Sequence, residues 1–561
     1  MNRLGLLDWV GDPDPSLGVH FADEDGGWQL TTYTELARSA RGVAALLGEQ
    51  GLSRGGVVSI LVPTGPEFAT AFFGTLLAGG TPSPLVPPTV FGRPEAYVER
   101  TAELMAVATE VAITDESLLG LVDAARLQAG IDRPPLVIGP EVGEEAGAER
   151  AQAAELALLQ FTSGSSGPPR GVRVTWDNLE ANIDMLRDLI SEEAGDGGAH
   201  WLPLYHDMGL IGCFLTPIVH QRETWIMRPD QFIRDPLRWL ERLGSGAASF
   251  AAAPNFGFAY ATKHTRPEQL EGMDFSSWKG AIVGAERLDP AALDRFARML
   301  EPFGFRREAF LPAYGLAEAT LAVSIQSPRL RPRVVRPDWS SVAFGQPVEL
   351  ECDALLGDPR ADEGAGWLVG CGQPLAGVEV AVVDEEGAEL DEGVLGELTV
   401  RASTVASGYM GSAESSTGFV GDSLRTGDAG FRHGGEVFVV GRLGDALKVR
   451  GRTLYAEDLE SKLCAIEGVP KGRCIVVPGL GKGTDGLVAI VEASDGDWVE
   501  EALRVLGREV DEEVEIQILA APVGTIERTS SGKPRRRPLW RALINGELDF
   551  ERLSINHDKP N

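Results

Sequence analysis

Apolar strands alternate with amphipathic helices along most of the first 325 residues of the chain. A helical pattern covers residues 33–50, an apolar strand follows at 56–62, and an apolar helix begins at Glu67. Strands that are apolar on both faces and separated by helices are typical of a parallel sheet with helices packed on it. The same alternation runs through residues 155–325. The sequence therefore predicts an α/β fold whose large N-terminal part is built from helix-covered sheets.

The pattern changes twice in the second half of the chain. Between about residues 372 and 441, short strands are separated by acidic, glycine-rich turns, which favours an antiparallel or barrel-like subdomain. After residue 445 a new pattern of strands and helices begins. A chain of 561 residues is too long for one hydrophobic core. We therefore predict an N-terminal domain (1–441), a hinge (442–445) and a small C-terminal α+β domain (446–561).

The composition argues against several classes of protein. The formal net charge of −32 disfavours nucleic acid and anionic membrane surfaces as partners. The sequence has no run of about 18 apolar residues and no basic-then-apolar start typical of a signal peptide, so we expect a cytoplasmic protein without a membrane span. The five cysteines are scattered with no C-x-x-C pair, which predicts neither a disulfide framework nor a zinc site.

Residues 159–172 are rich in glycine and hydroxyl groups and lie between an apolar run and a helical pattern. Glycine lets a backbone approach an anion closely, and hydroxyl groups add hydrogen-bond donors. Arg170 adds a positive charge. Taken alone, such a segment is more often a mobile linker. Motifs elsewhere in the chain favour the phosphate-binding interpretation.

These further motifs follow in a fixed order. They are WLPLYHDMGL at 201–210, AYGLAEAT at 313–320, LRTGD at 424–428, VGRLGD at 440–445 and GTIERTSSGK at 524–533. With them the chain resembles the adenylate-forming superfamily of acyl-CoA synthetases, peptide-synthetase adenylation domains and luciferases. Within it, the phrases LPLYHDMGLI, AAPNF and AYGLAEAT are most similar to the fatty acyl-AMP ligases.

The resemblance implies an activity, two cofactors and three catalytic residues. A fatty acyl-AMP ligase uses ATP and Mg²⁺ to convert a carboxylic acid into acyl-AMP and pyrophosphate. It then passes the acyl group to the phosphopantetheine thiol of an acyl carrier protein, or of a polyketide or peptide synthase carrier domain. By resemblance, Lys533 would reach the α-phosphate when the mobile C-terminal domain closes. His206 would approach the carboxylate, and Glu318 would help to place Mg²⁺, which prefers oxygen ligands.

By the same resemblance, several segments would hold the nucleotide. Tyr314 would stack on the adenine, and Asp428 would accept hydrogen bonds from the ribose hydroxyls, with Arg442 as a second ribose or phosphate contact. Backbone groups near Gly284 and Gly315 would edge the base. The expected ATP and AMP ligands are Thr162, Ser163, Gly164, Ser165, Ser166, Gly167, Arg170, Gly284, Ala285, Glu286, Tyr314, Gly315, Leu316, Ala317, Asp428 and Arg442.

The expected acyl-binding residues belong to two of the motifs, and the expected hinge residue is Gly444. Three positions depart from the pattern of the family. Arg170 replaces the usual lysine, Gly444 replaces the usual lysine or aspartate, and Cys213 replaces a glycine, which would narrow the acyl tunnel. The expected acyl-binding residues are Met208, Gly209, Leu210, Ile211, Asn255 and Phe256.

An insertion at about residues 325–369 also resembles the acyl-AMP ligases. In that branch the insertion is thought to hinder the domain rotation that CoA requires, so that a carrier protein receives the acyl group instead. Carrier proteins are acidic, and a basic cluster near the C-terminus would suit one. This cluster consists of Arg528, Lys533, Arg535, Arg536, Arg537 and Arg541.

Two other functions remain open at this level. The chain would be an acyl-CoA or aryl-CoA ligase if it formed a CoA thioester. Alternatively it would be a non-catalytic module that binds ATP or an acyl adenylate and regulates a partner, since a fold does not determine an activity. The presence of Lys533, Asp428 and Glu318 disfavours the second alternative, because such modules tend to lose these groups.

Overall fold

The structure is a computed structural model that describes most of the chain. Apart from single positions, its gaps fall between elements of secondary structure. The described residues are 5–88, 94–140, 151–162, 170–190, 196–339, 341–362, 366–410, 418–420, 422–443, 446–449, 452–478, 486–494, 496–510, 514–528, 534–545, 547–548 and 550–555.

The N-terminal part of the chain supplies a four-stranded parallel sheet and the helices on it. Its elements are α1 (Asp8–Gly11), β1 (Gly18–Ala22), β2 (Trp28–Thr32), α2 (Tyr33–Glu49), β3 (Val57–Leu61), α3 (Pro66–Leu77), β4 (Thr81–Pro84), α4 (Pro94–Ala108), β5 (Thr109–Thr114), α5 (Leu119–Gln128), β6 (Leu136–Val137), β7 (Leu156–Thr162), β8 (Arg170–Thr175) and α6 (Trp176–Ile190). The parallel sheet has the order β4-β3-β5-β6. Strands β7 and β8 pair antiparallel on either side of the predicted phosphate loop.

Helix α2 illustrates how the local sequence sets an element boundary. The hydroxyl of Thr32 accepts a hydrogen bond from the backbone N–H of Glu35 (3.2 Å), and the Glu35 carboxylate accepts one from the backbone N–H of Thr32 (2.8 Å). This reciprocal pair satisfies two backbone donors that a helix start leaves without partners. The helix therefore begins directly after β2.

The central part of the chain builds most of a nine-stranded sheet. Its elements are β9 (Gly198–His200), a π-helical segment (Met208–Leu215), α7 (Thr216–Val219), β10 (Thr224–Ile226), α8 (Pro229–Arg234), α9 (Leu237–Gly244), β11 (Phe250–Ala253), α10 (Asn255–His264), β12 (Gly280–Val283), α11 (Pro290–Leu300), β13 (Phe310–Gly315) and β14 (Ala322–Ile325). Strands β1, β10, β9, β11, β12 and β13 are parallel neighbours in that order. The α/β prediction is confirmed.

The next part of the chain is antiparallel. Its strands are β15 (Arg333–Pro337), β16 (Leu350–Leu355), β17 (Leu368–Val369), β18 (Gln373–Pro374), β19 (Glu379–Val383), β20 (Gly396–Arg401), β21 (Tyr409–Met410), β22 (Phe419–Val420), β23 (Ser423–His433) and β24 (Glu436–Arg442). The predicted insertion contains the three-stranded sheet β16-β15-β17. In the region predicted to be barrel-like, the described strands form an open sheet. Strand β19 pairs with β20, β20 pairs with β23, and both β22 and β24 pair with β23, so these pairs do not close into a barrel.

The C-terminal part has apolar cores of its own. Its elements are β25 (Ala446–Val449), β26 (Arg452–Tyr455), α12 (Ala456–Cys464), β27 (Cys474–Pro478), β28 (Gly486–Val491), α13 (Trp498–Gly507), β29 (Glu515–Ala520), α14 (Arg536–Ile544) and β30 (Glu551–Ile555). Two clusters of buried apolar side chains draw only on residues from Leu447 onward. This separation supports a domain division near residue 445, which remains a prediction.

A cluster of charged and aromatic side chains joins the C-terminal part to the rest, and we call it the junction cluster. Its buried centre is Asp458 on α12, whose carboxylate pairs with Arg287 (3.1 Å) and Lys462 (2.8 Å). The Trp339 ring, from the insertion, receives both cations, with Arg287 at 5.4 Å and Lys462 at 5.5 Å from the ring centre. Three regions that are distant in sequence thus meet at one point.

Two cysteines that are distant in the sequence lie close together in the structure. The five cysteines are free thiols, but Cys464 at the end of α12 and Cys474 at the start of β27 have their sulfur atoms 3.2 Å apart. The packing of α12 on β27 brings them together although ten residues separate them.

Within the described ranges, no helix has both the length and the apolar character that crossing a bilayer requires.

Candidate active site

A cavity with a volume of about 690 Å³ lies between the large parallel sheet and the antiparallel strands that follow it. Residues two apart on β9 (Gly198 and His200) and on β11 (Phe250 and Ala252) line it together. Alternate residues of a strand face the same side of a sheet, so the cavity follows one sheet face. At one end it reaches residues that directly follow the carboxyl ends of parallel strands, such as Gly284 after β12, and open α/β sheets bind their ligands at these ends.

Three predicted nucleotide ligands meet beside this cavity. The Tyr314 hydroxyl donates a hydrogen bond to Asp428 (2.7 Å), and Arg442 pairs with the other oxygen of the same carboxylate (2.9 Å). Tyr314 and Arg442 line the cavity, and the Asp428 carboxylate lies buried behind them. Burial, and next the Asp428 charge, raise the pKa of Tyr314, so its hydroxyl stays protonated and donates.

Neighbouring groups hold Asp428 in place. Strand β24 pairs with β23 so that Arg442 is directly opposite Asp428. The Thr426 hydroxyl accepts a hydrogen bond from the Asp428 backbone N–H (3.1 Å) and donates one to the Leu398 carbonyl (2.8 Å). A carboxylate has about four acceptor positions, so these contacts leave further acceptor positions on both oxygens.

A tyrosine that the sequence motifs do not indicate connects the predicted metal ligand to the phosphate loop. The Tyr409 hydroxyl donates to the Glu318 carboxylate (2.7 Å), and the Arg170 guanidinium lies 5.5 Å from the centre of the Tyr409 ring. Strand β21 pairs with β8, which places Tyr409 beside Arg170. No sequence pattern could reveal this contact, because 91 residues separate Tyr409 from Glu318.

His206 lies in the cavity wall at the end of the β9 loop. Its Nδ1 atom is 2.7 Å from the Asp207 carboxylate, which also accepts a hydrogen bond from the Met208 backbone N–H (2.7 Å). Nearby, buried Gln160 donates to the Tyr205 carbonyl (2.8 Å). The imidazole is therefore oriented by a carboxylate, an arrangement suited to binding an anion or moving a proton.

The predicted adenine contacts lie in the cavity wall with one exception. Gly284, Ala285, Gly315, Leu316 and Ala317 line the cavity, as does Thr162 of the phosphate loop. At Gly315 a Cβ atom would come within 1.9 Å of the Leu321 carbonyl oxygen, so only glycine fits there. Glu286 does not reach the wall, because the chain turns at Ala285 (φ 66°). Its exposed carboxylate instead accepts a hydrogen bond from the Phe256 backbone N–H (2.7 Å).

Most of the predicted acyl-binding residues lie outside the wall of this cavity. Met208 lines it, but Gly209, Leu210 and Ile211 follow on the other side of the π-helical segment, where Leu210 and Ile211 are fully buried in an apolar cluster. Asn255 accepts a hydrogen bond from the Asp289 backbone N–H (3.1 Å). The half-exposed Phe256 ring packs against Trp201, with ring centres 5.7 Å apart.

Several predicted residues cannot be located. Lys533, the hinge residue Gly444, and Ser163, Gly164, Ser165, Ser166 and Gly167 of the phosphate loop all lie outside the described residues. The C-terminal part nevertheless reaches the cavity, since Glu457, Pro534 and Arg535 line it.

The basic cluster is only partly a surface feature. Arg536 is buried, and its guanidinium forms a two-point pair with Glu460 (3.1 and 2.6 Å). Arg535 pairs with Glu527 (3.0 Å) and lies in the cavity wall. The expectation that residues 535–537 face a carrier protein is therefore wrong for Arg536. A run of charges looks like a solvated face, and sequence alone could not indicate a partner 76 residues away.

The deep part of the cavity contains polar residues that the sequence motifs do not indicate. Gly198, His200, Thr216, His220 and Arg222 all belong to its wall. A Cβ atom at Gly198 would lie 2.3 Å from Nε2 of His200, so the imidazole lies directly over the glycine backbone. Cys213, the predicted departure from the family, also lines this part.

A sequence model of the family described as AMP-binding enzyme matches residues 18–410. A 4-hydroxyphenylalkanoate adenylyltransferase from Mycobacterium marinum is 32% identical over 547 residues, covering 91% of this chain and 85% of that protein. A medium-chain fatty acid–acyl carrier protein ligase from Moorena producens is 29% identical, and the match covers 92% of this chain and 90% of that protein.

The fold also matches solved structures. One, from studies of fatty acyl-adenylate ligases of E. coli and L. pneumophila, superposes with a TM-score of 0.84 at 28% identity. The match covers 97% of this chain and 98% of that chain. The likeness therefore extends over the N-terminal, antiparallel and C-terminal parts together.

Proposed function

The chain belongs to the AMP-binding enzyme family and is a ligase, and we propose that it is a fatty acyl-AMP ligase that loads a carrier protein. It converts a carboxylic acid and ATP into acyl-AMP and pyrophosphate. It then transfers the acyl group to a phosphopantetheine thiol. One observation carries this proposal. The cavity joins Tyr314, Arg442 and Glu318, which suit a nucleotide, to His206 and a deep branch that suits an acid.

In the first step a carboxylate oxygen attacks the α-phosphorus of ATP, and the bond from that phosphorus to the bridging oxygen of pyrophosphate breaks. Both reactants are anions, so catalysis requires positive groups and hydrogen-bond donors around the phosphorus. We assign the ribose to Asp428, held between Tyr314 and Arg442, and the phosphates to Thr162 and Arg170. We assign the carboxylate end of the acid to His206.

Mg²⁺ would be held mainly by the phosphates of ATP. The described residues contain no group of three or more carboxylate, histidine or cysteine side chains that could hold a metal alone. Glu318 fits the role of a single protein ligand, because it supplies a hard oxygen in the cavity wall next to Arg170 and Tyr409. When bound, the ion would offset the charge of the phosphates during the attack.

In the second step the carrier thiolate attacks the acyl carbonyl carbon, and the bond from that carbon to the AMP oxygen breaks. The acyl group leaves as a thioester, and AMP is released. We propose an acyl carrier protein as the acceptor because the Moorena producens relative is named as a carrier protein ligase. The insertion that supplies Trp339 supports the same choice, because its contacts to Arg287 and Lys462 oppose the rotation that CoA requires.

The test is mass spectrometry of the purified protein with ATP, Mg²⁺ and a panel of fatty and hydroxyphenylalkanoic acids, with CoA, a phosphopantetheinylated carrier protein, or neither. We expect acyl-AMP in every arm, an acylated carrier and no acyl-CoA. Acyl-CoA formation would contradict the carrier assignment and establish a CoA ligase. Absence of acyl-AMP with every acid would contradict the activity itself and favour a binding module.

A variant of the proposed ribose ligand sharpens this test. Asp428→Ala should reduce acyl-AMP formation by roughly a hundredfold or more, because it removes the acceptor for the ribose and the partner of Arg442. Asp422→Ala is the matched control, because Asp422 is an exposed aspartate on the adjoining segment. Equal activity of the two variants would contradict the assignment of Asp428 as a ribose ligand.

The catalytic lysine is tested by separating the two half-reactions. We expect Lys533→Ala to reduce the rate of acyl-AMP formation about a hundredfold or more, since losing one such donor costs about 3 kcal/mol of transition-state stabilisation. Transfer from a supplied acyl adenylate to the carrier should remain largely intact. Lys471→Ala, at an exposed lysine of the same C-terminal part, is the control. Equal loss in both half-reactions would contradict this role.

A further inference from the structure

The topology fixes which end of the cavity is remote from the proposed nucleotide site. Strands β9 and β10 are parallel, and the π-helical segment and α7 connect them. The connection must start at the carboxyl end of β9 and return to the amino end of β10. His206 and Met208 therefore lie at the carboxyl edge of the sheet, beside the proposed nucleotide site. His220 and Arg222 lie at the opposite, amino edge.

The wall residues follow this course from one edge to the other. Along the connecting helices the cavity is lined by Met208, Gly212, Cys213, Thr216 and His220, a spacing of about one turn that marks a single helix face. The sheet face opposite carries His200, Gly198 and Phe250. The branch is thus a tunnel between helix and sheet, with roughly 15–18 Å of helix along its length.

The middle and the end of this tunnel differ in chemistry. Cys213, Phe250 and Leu186 supply apolar or weakly polar surface, as an alkyl or aryl group requires. At the amino edge the wall instead contains His220, Arg222, Arg187 and Asp196. A tunnel made only for a hydrocarbon would be expected to end in apolar side chains.

Two imidazoles in this wall lack part of their usual hydrogen bonding. Among the described residues, no group bonds the buried Nδ1 of His200 or the buried Nε2 of His220. His200 is only 6% exposed, and its ring folds back over Gly198, towards the deep end. These two atoms have almost no exposed surface, so a ligand in the tunnel would meet the other nitrogen of each ring, to which no described residue is hydrogen-bonded either. Buried polar side chains are normally bonded, so imidazoles in this state in a ligand tunnel require an explanation.

Two of the charged groups near the end, Asp196 and Arg187, are neutralised by protein partners. Asp196 pairs with Lys279 (2.9 Å) and accepts a hydrogen bond from Ser249 (2.9 Å). Arg187 pairs with Asp184 (2.9 Å) and Asp188 (2.7 Å). Burial keeps both histidines neutral near pH 7, since it lowers the pKa of His200 to about 3 and that of His220 to about 4. Asp196, Arg187 and the two imidazoles therefore bring little net charge to the end of the tunnel, whose wall also contains Arg222.

We propose that the acid activated by this chain carries an uncharged hydrogen-bonding group, a hydroxyl, at the end remote from its carboxylate, and that His200 and His220 recognise it. The inference rests on the proposed function, because it names the substrate class of the same site. A hydroxyl can both donate and accept, so it suits neutral imidazoles in either tautomer. A site built to bond a hydroxyl discriminates strongly against an analogue that lacks it, because its own polar groups would then stay buried without partners.

The test compares saturated fatty acids with their ω-hydroxy counterparts at matched lengths from octanoate to hexadecanoate, together with the matching dicarboxylic acids. Pyrophosphate release gives kcat/KM for each acid, and isothermal titration gives its Kd. We expect the hydroxy acid of one length to exceed its unsubstituted partner at least tenfold in kcat/KM. His220→Leu should remove or reverse the preference for the hydroxy acid. His264→Leu, at an exposed histidine, should leave that preference unchanged.

His200→Asn is the second variant, because it keeps a hydrogen-bonding group of smaller size in β9 and should reduce the ratio without emptying the core. A wild-type preference for the unsubstituted acid at every length would overturn the inference while leaving acyl-AMP formation intact. A preference for the dicarboxylic acid would contradict the proposal that the remote group of the acid is uncharged. If no acid is adenylated, the proposed function fails, and the Kd values then decide the inference. Tighter binding of the hydroxy acid supports it, and equal binding overturns it.

Discussion

At the scale of single residues, His200 and His220 make the stability of the protein depend on pH. Their folded-state pKa values, about 3 and about 4, lie below the ordinary value of 6.5. The unfolded chain therefore binds protons below pH 6.5 that the folded chain excludes, and the free energy of unfolding falls as the pH falls. Through His200 alone, the free energy of unfolding should fall by about 2 kcal/mol between pH 7 and pH 5.

Urea unfolding of the wild type and of His200→Asn at these two pH values measures this contribution. Other groups titrate in the same range, so the difference between the two proteins is the informative quantity. The wild type should lose more stability than the variant on acidification. His264→Asn, in which the exposed histidine is replaced, should lose as much as the wild type. Equal losses in all three proteins would contradict the buried neutral state of His200.

A second residue-scale prediction concerns the buried pair Arg536–Glu460. Burial raises the pKa of Glu460, and the Arg536 guanidinium opposes that rise. Arg536→Ala would leave the carboxyl group buried without its cation and should destabilise the C-terminal part by about 3–5 kcal/mol. Arg541→Ala, on the exposed face of the same α14, should cost less than about 0.5 kcal/mol. Thermal melts of both variants decide between a structural and a surface role.

At the scale of elements, the role that we propose for the insertion depends on its contact with α12. Trp339 receives Arg287 and Lys462 on its ring and donates its indole N–H to the Gly366 carbonyl (2.8 Å). Each cation–π contact contributes about 0.5–2 kcal/mol. Trp339→Ala should therefore weaken the junction cluster and allow the C-terminal part to rotate, so that acyl-CoA formation rises at least several-fold when CoA is supplied.

Trp28→Ala is the matched control for this variant. Trp28 is also half-buried and lies under two arginines, Arg238 at 4.9 Å and Arg242 at 5.9 Å, but its contacts stay within the N-terminal part. It should leave the ratio of acyl-CoA to acyl-AMP unchanged. A Trp339 variant that forms no more acyl-CoA than this control would show that the insertion does not govern the choice of acceptor.

The elements that sequence predicts well are those with strong periodicity. The alternation of apolar strands and helices predicted the parallel sheet because burial on both faces leaves a clear pattern in the sequence. The π-helical segment was less predictable. Its motif names four consecutive acyl-binding residues, Met208 to Ile211, but a helix presents only Met208 and then Gly212 to the cavity. Contacts such as Tyr409 with Glu318 depend on strand pairing between distant segments, which no local pattern encodes.

At the scale of the whole molecule, the apolar clusters predict two folding units. The clusters around Leu459 and Leu539 take no residue from before Leu447, so the C-terminal part buries its own core. A fragment of residues 446–561 should unfold cooperatively on its own, as a domain of this size can. The complementary fragment of residues 1–443 should also fold, but it should form no detectable acyl-AMP because it lacks Lys533, the proposed catalytic lysine.

Circular dichroism melts of the two fragments, with and without each other, check this prediction. Two separate transitions near those of the intact chain would support the boundary at residues 442–445. A C-terminal fragment without a cooperative transition would mean that the junction cluster, rather than the fragment's own apolar clusters, holds that part together. The 1–443 fragment mixed with the C-terminal fragment gives the activity control.

A substitution at Gly198 would change the tunnel directly. The imidazole of His200 fills the space where a side chain at residue 198 would stand. Glycine is the smallest residue, so a single-base change in its codon that alters the amino acid must add a side chain there. That side chain would displace the imidazole and shorten the tunnel without touching the nucleotide groups. A lineage could thus exchange one acid for another by a single mutation, while the machinery for making the adenylate is inherited unchanged.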